Sequence, residues 1–162
     1  LSAQFQYRLQ VLLDRKAREQ EEAERALGAA HAGLRLQRER LEQEKRIQEE
    51  IALRRDTARR PAAGGTISSQ SMGCHADYLR GLEFDLNQAK DAVYAQVYAV
   101  EEAEEKVEQA RAALAEATRQ ADVLRKHREK AESRWRRAQE RMEALEQEEI
   151  GAVLHEARRR LS

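Results

Sequence analysis

The chain has 162 residues, of which 37% are charged and 4% aromatic, with a single proline and with Lys+Arg 30 cancelling Asp+Glu 30. So charged and proline-poor a mixture argues against an ordinary globule, while zero net charge argues against a disordered polyelectrolyte and against general nucleic-acid binding, which needs excess cations to neutralise phosphates. No apolar run is long enough for a transmembrane helix or signal peptide, and Cys74 alone forms no internal disulfide, so a soluble protein of a reducing cytoplasm is expected.

The chain opens at Leu1 rather than methionine, so a few preceding residues are expected. Residues 5–14 read Phe5-Gln6-Tyr7-Arg8-Leu9-Gln10-Val11-Leu12-Leu13-Asp14, and from about Tyr7 the pattern is helical to about Ala58. Leu27, Leu34 and Leu41 keep a seven-residue step; Ile47 then arrives early, which predicts a seam slipped by about one residue and a local change of supercoil. Gly28 and Gly33 each weaken the helix by about 1 kcal/mol relative to alanine, and a bend or close packing is expected there. Pro61 cannot continue the helix and pushes Arg60 away from helical angles; Gly64, Gly65 and a polar run with N-cap candidates Ser68, Ser69 and Ser71 follow. The turn is expected over about 59–70 and the second helix over about 70–158.

The second helix carries the main signal. With Leu79 as heptad position a, the a row reads Leu79, Leu86, Val93, Val100, Val107, Leu114, Ala121, Arg128, Trp135, Met142. The d row reads Leu82, Ala89, Gln96, Ala103, Ala110, Ala117, Leu124, Ala131, Ala138, Leu145. Only Arg128 and Gln96 interrupt it. A repeat this long calls for a partner helix in a left-handed supercoil, and the alanines at d call for a close approach. The predicted fold is therefore all-α, two long helices in an antiparallel coiled-coil hairpin, one rod across 1–162 with the second helix longer. At 1.5 Å per residue the helices would be ~75 Å and ~130 Å long. Folding about residue 65 sets Tyr7 opposite residue 123 or so and leaves about thirty-five residues, ~50 Å, of helix 2 unaccompanied. That overhang still carries Trp135, Met142 and Leu145 on its seam, and an apolar stripe without an internal partner is a liability or a binding surface.

Charge is segregated along helix 2. Glu83 to Glu108 is acidic apart from Lys90 and Lys106, whereas Arg119 to Arg141 is basic apart from Asp122, Glu129, Glu132 and Glu140. A solvated coiled-coil surface accounts for this, and so does a basic tip steered into an acidic cavity. No catalytic constellation is present: Gly64-Gly65 lacks the Lys-Ser/Thr of a phosphate loop, and His31, His75, His127 and His155 are dispersed. His75 adjoins Cys74, but neighbours on a helix point about 100° apart and chelate poorly. An enzyme, a cofactor or a metal centre is not expected. Phe84 and Tyr98 fall at f, Tyr94 at b and Tyr78 at g, facing away from or flanking the partner helix. They are either scattered surface aromatics or an interface anchor.

Phe5-x-Tyr7-Arg8-Leu9-x-x-Leu12-Leu13 resembles the N-terminal pattern of the flagellar export protein FliJ; Tyr78-Leu79-x-x-Leu82 is similar to that family's start of helix 2, and Glu148-Glu149-Ile150 stands where many members have an Asp-Glu pair. The Glu at 148 and the Pro-Ala-Ala-Gly-Gly turn depart from the pattern, while the clear N-terminal motif favours the flagellar family over its virulence-system counterparts. The resemblance implies a non-enzymatic coupling component of a type III protein-export apparatus, built like the central stalk of a rotary ATPase. Its implied partners are a hexameric export ATPase, the cytoplasmic part of the membrane export gate and, in some members, export chaperones. A monomer peripherally associated with the inner-membrane apparatus is implied, with no nucleic acid and no membrane insertion. The residues expected to meet partners are Phe5, Tyr7, Leu9, Tyr78, Leu82, Phe84, Tyr94, Tyr98, Trp135 and Met142. The alternative is a structural, self-associating coiled-coil spacer whose overhang pairs with another copy.

Overall fold

The structure, a computed structural model, describes residues 4–60 and 69–160. It contains two helices, α1 (Gln10–Arg59) and α2 (Ser69–Arg160), of 50 and 92 residues, paired as an antiparallel coiled-coil hairpin. The expected turn residues Pro61, Gly64, Gly65 and Ser68 lie outside the described residues. α1 begins three residues later than the sequence pattern suggests. Tyr7 is not helical; its carbonyl accepts the Gln10 N–H at 3.1 Å, and the Leu9 carbonyl accepts from Leu13 at 3.0 Å. At the other end Arg60 N–H closes a tighter i→i+3 bond to Thr57 O at 3.2 Å, and Arg59 sits where the helix dipole favours a cation. Arg158, Arg159 and Arg160 do the same for α2.

Two compact units make up the chain, residues 24–113 in one and residues 1–23 with 114–162 in the other. In the first, Arg59 pairs with Glu83 at 2.5 Å, Gln37 with Gln96 at 2.8 Å and Arg38 with Glu104 at 2.7 Å. From Arg59–Glu83 to Arg38–Glu104 the partner rises along α2 as it falls along α1, which defines the antiparallel sense. In the second, the Arg125 guanidinium donates to Gln20 Oε1 at 2.9 Å.

The core is a seam, and it follows the heptad. In α2 the buried side chains are Leu82, Leu86, Ala89, Val107 and Ala121, every one at a or d. From Leu79 to Ala138 no a or d residue except Arg128 is exposed. In α1, Leu13 and Leu34 are buried, and a row of seven-residue steps through Gln20, Leu27, Leu41, Gln48 and Arg55 is at least half-buried. The seam therefore does not slip at Ile47, which is 46% exposed. Half-buried Gln48 holds the row instead, as a side chain with an apolar stem and a polar tip can. Gly28 and Gly33 face open space, so close packing does not account for them.

Burying Leu86 or Val107 contributes about 1.5–3 kcal/mol each, whereas an exposed ion pair such as Arg38–Glu104 contributes about 0–1 kcal/mol. The seam decides the fold and the charges decorate it. Among the described residues no buried side-chain N or O lacks a partner, and no helix is long and apolar enough to cross a membrane.

Candidate partner-binding surfaces

Surface aromatics of unit 24–113 stand on one side of α2. Phe84 is 63% exposed, Tyr94 67% and Tyr98 71%. Phe84, Asp91 and Tyr98 follow one another at seven-residue steps, and Tyr94 lies one turn before Tyr98, so the three rings share a face. Tyr78 is also exposed. Leu82, expected to meet a partner directly, is instead buried at 7% exposure, as a d residue of the interhelix seam. Acidic side chains surround the face. The Glu102 carboxyl is held below the usual carboxylate range by a 2.8 Å hydrogen bond from Lys106 and by the charge of that ammonium.

The other unit gathers Phe5, Tyr7 and Trp135. Ahead of α1, residues 4–7 form a non-helical arm. Tyr7 Oη lies 2.8 Å from His127 Nδ1 and donates to the Leu124 carbonyl at 3.4 Å, with the two rings 5.7 Å apart. The Phe5 ring meets Trp135 at a centroid distance of 5.8 Å and an interplanar angle of 50°, a tilted arrangement that aromatic quadrupoles favour. Folding geometry put Tyr7 opposite residue 123, close to where it is found. Leu9 is at the edge of exposure, at 37%, and beyond Ala138 the apolar row emerges with Met142 57% and Leu145 55% exposed.

Sequence reasoning missed the Tyr7–His127 contact, because it treated the four histidines as isolated from one another and not from the arm. It also missed Gln37 as the partner of Gln96; the signal was there, since Gln37 lies three residues beyond Leu34, the a-to-d spacing of a heptad seam. Among the described residues no group of three or more His, Cys, Asp or Glu could hold a metal ion, and Cys74 is exposed.

These surfaces suit protein contacts on a coiled-coil scaffold. A family profile described as YscO-like protein matches residues 4–161. The chain belongs to the YscO-like family. It is thereby a homologue of the YscO/FliJ type III export proteins. Among solved structures, a chain described as a YscO homologue, CT670 from Chlamydia trachomatis, matches with a TM-score of 0.77 at 21% identity, covering 98% of this chain and 100% of that chain. At that identity the likeness is one of fold. No curated protein matches the chain.

Proposed function

We propose that this YscO-like chain is the coupling stalk of a type III protein-export apparatus, a single coiled-coil rod with a different partner at each end. The observation that supports the reading best is that, in a chain of this family, the apolar row of α2 runs on uncovered past Ala138, as a shaft seated in a ring would need. Trp135 and Met142, with Phe5, Tyr7 and Leu9 beside them, would face a hexameric export ATPase. The basic run from Arg125 to Arg137 would steer that seating, and added salt would weaken it on the scale of the Debye length, ~10 Å at 0.1 M. Tyr78, Phe84, Tyr94 and Tyr98 would face the cytoplasmic part of the export gate, since exposed aromatics anchor interfaces. Export chaperones are a further partner class. The stalk would act as a monomer in the cytoplasm, held peripherally at the inner-membrane apparatus. The Phe5-x-Tyr7-Arg8-Leu9 signature favours a flagellar apparatus and the YscO-like match its virulence-type counterpart.

The test is binding of two double variants to the purified ATPase and to the cytoplasmic gate fragment. Trp135→Ala with Met142→Ala should impair ATPase stimulation and spare gate binding, and Phe84→Ala with Tyr98→Ala should do the reverse. Loss of the same partner by both variants, or of neither, would refute the two-ended assignment. Deletion of the chain's coding sequence, scored for motility and for effector secretion, separates the two apparatuses.

A further inference from the structure

Arg125 donates to Gln20 and Leu13 is buried, so α1, which starts at Gln10, still lies along α2 past Ala121. The arm extends that cover, with Tyr7 against Leu124 and His127 and Phe5 against Trp135. Beyond that point the row is open, yet it keeps the a/d spacing with which Leu114, Ala117 and Ala121 are covered in the same unit. A surface with that spacing receives a helix. Its rim is cationic. Arg134 and Arg141 occupy g positions and Arg128 an a position, and the ion pairs of this stretch use Arg125 and Arg136 instead. Among the described residues Arg128, Arg134 and Arg141 have no carboxylate partner; Arg141 donates only to the Arg137 carbonyl, at 3.1 Å.

We propose that α2 from Trp135 to Leu145 is a docking seam for an amphipathic helix with acidic flanks on a partner protein, and that Phe5, tethered by Tyr7, forms a displaceable strap over its start. The seam continues the α1–α2 interface of the same unit, so the occupant's apolar stripe follows the same heptad. The arginine rim sets its flanks as glutamate or aspartate. A second copy of this stretch would bring the same arginines against one another, and a nucleic acid would use the cations while leaving the apolar row idle. Two ring contacts, Phe5 with Trp135 and Tyr7 with His127, and the hydrogen bonds of the Tyr7 hydroxyl to His127 and Leu124 hold the strap, few enough for a helix that buries the whole row to displace them. The inference deepens the stalk reading by naming the chemistry recognised at this end, and it rests on that reading only for which protein supplies the helix.

Trp135 is the chain's one tryptophan and reports on the seam directly. The experiment titrates the full chain with a helical peptide of three heptads, leucine at a and d and glutamate at e and g, while Trp135 emission is followed. Saturable binding is expected, weaker by at least about tenfold for the same peptide with lysine flanks, since each tenfold step is about 1.4 kcal/mol of rim charge. Phe5→Ala with Tyr7→Ala should bind the glutamate peptide several-fold more tightly, and Arg134→Glu with Arg141→Glu about tenfold more weakly, both with unchanged helical circular dichroism. The proposal is overturned by equal binding of the two peptides, by no binding, by weaker binding of the arm variant, by an equal response to duplex DNA, or by a Trp135 signal that depends on protein concentration without peptide. ATPase stimulation by the Trp135→Ala, Met142→Ala variant is measured alongside. Stimulation lost without peptide binding would leave the stalk and remove this seam; peptide binding with no effect on the ATPase would leave the seam and point to another partner.

Discussion

Gln96 Nε2 donates to the Gln37 side-chain oxygen at 2.8 Å and to the Gln37 backbone carbonyl at 3.0 Å. Gln96 is the one polar d residue between Leu82 and Leu145, and it meets a polar residue of α1 rather than an apolar one. Sliding the helices by a heptad would separate the two amides and set Gln37 against Ala89 or Ala103. Such a pair fixes alignment at some cost in stability. Gln37→Leu with Gln96→Leu is expected to raise stability by about 1–2 kcal/mol and to admit shifted pairings. The check is thermal melting together with cross-linking of Arg59→Cys to Glu83→Cys in a Cys74→Ser background. A double variant that cross-links as completely as the parent would show that the glutamines do not set the register.

Val107 is 3% exposed at an a position, whereas Tyr94 is 67% exposed at b. Aspartate at Val107 would bury a charge with no partner, and the loss is expected to exceed about 3 kcal/mol; at Tyr94 it should stay within about 0.5 kcal/mol. Val100→Asp should resemble Val107→Asp. Similar melting temperatures for the Val107 and Tyr94 variants would overturn the register.

The ion pairs between the helices should matter little. Glu104→Gln removes the Arg38 partner at 2.7 Å, with both side chains about half exposed, and is expected to cost less than about 1 kcal/mol. A loss that persists undiminished in about 1 M salt would mean the pair is less solvated than its exposure indicates.

Two carboxyls give the chain a predictable pH response. Glu19 is held below its ordinary 4.5 by a hydrogen bond and charge from Lys16, with Arg15 adding to both and burial opposing them; Glu102 is lowered likewise by Lys106. A pKa lowered in the folded state adds stability above the ordinary value, and that stability is lost as pH falls through the lowered one. Glu19→Gln with Glu102→Gln should therefore melt slightly below the parent at about pH 7, and the gap should close as the pH falls below the ordinary carboxyl range and through the lowered folded-state value. A gap that widens on acidification would reverse the assignment.

Much of this was legible in the letters. The a and d rows from Leu79 to Ala138, the outward Phe84, Tyr94 and Tyr98, and the reversal of chain direction follow from a period of seven and one break. What escaped has a common cause. Scanning α1 for apolar letters alone made Ile47 look like a slipped seam, although half-buried Gln48 and Arg55 hold the row. Tyr7 looked helical because the segment is rich in helix formers. The residues before Gln10 gain more from laying aromatic rings along α2 than from another turn, and that competition depends on residues more than a hundred positions away.

An extended arm and a helix also leave a surface at different speeds. A strand advances about 3.3 Å per residue against 1.5 Å for a helix, so the two-residue step from Phe5 to Tyr7 spans much of the distance between Trp135 and His127 on α2. A helix must shed its cooperative backbone ladder to peel away, whereas the arm lets go one side chain at a time. Loop and terminus motions run in nanoseconds to microseconds, and local unfolding of packed elements in microseconds to seconds. The two coverings of α2 thus differ in lifetime as well as in reach, with the faster one lying over Trp135.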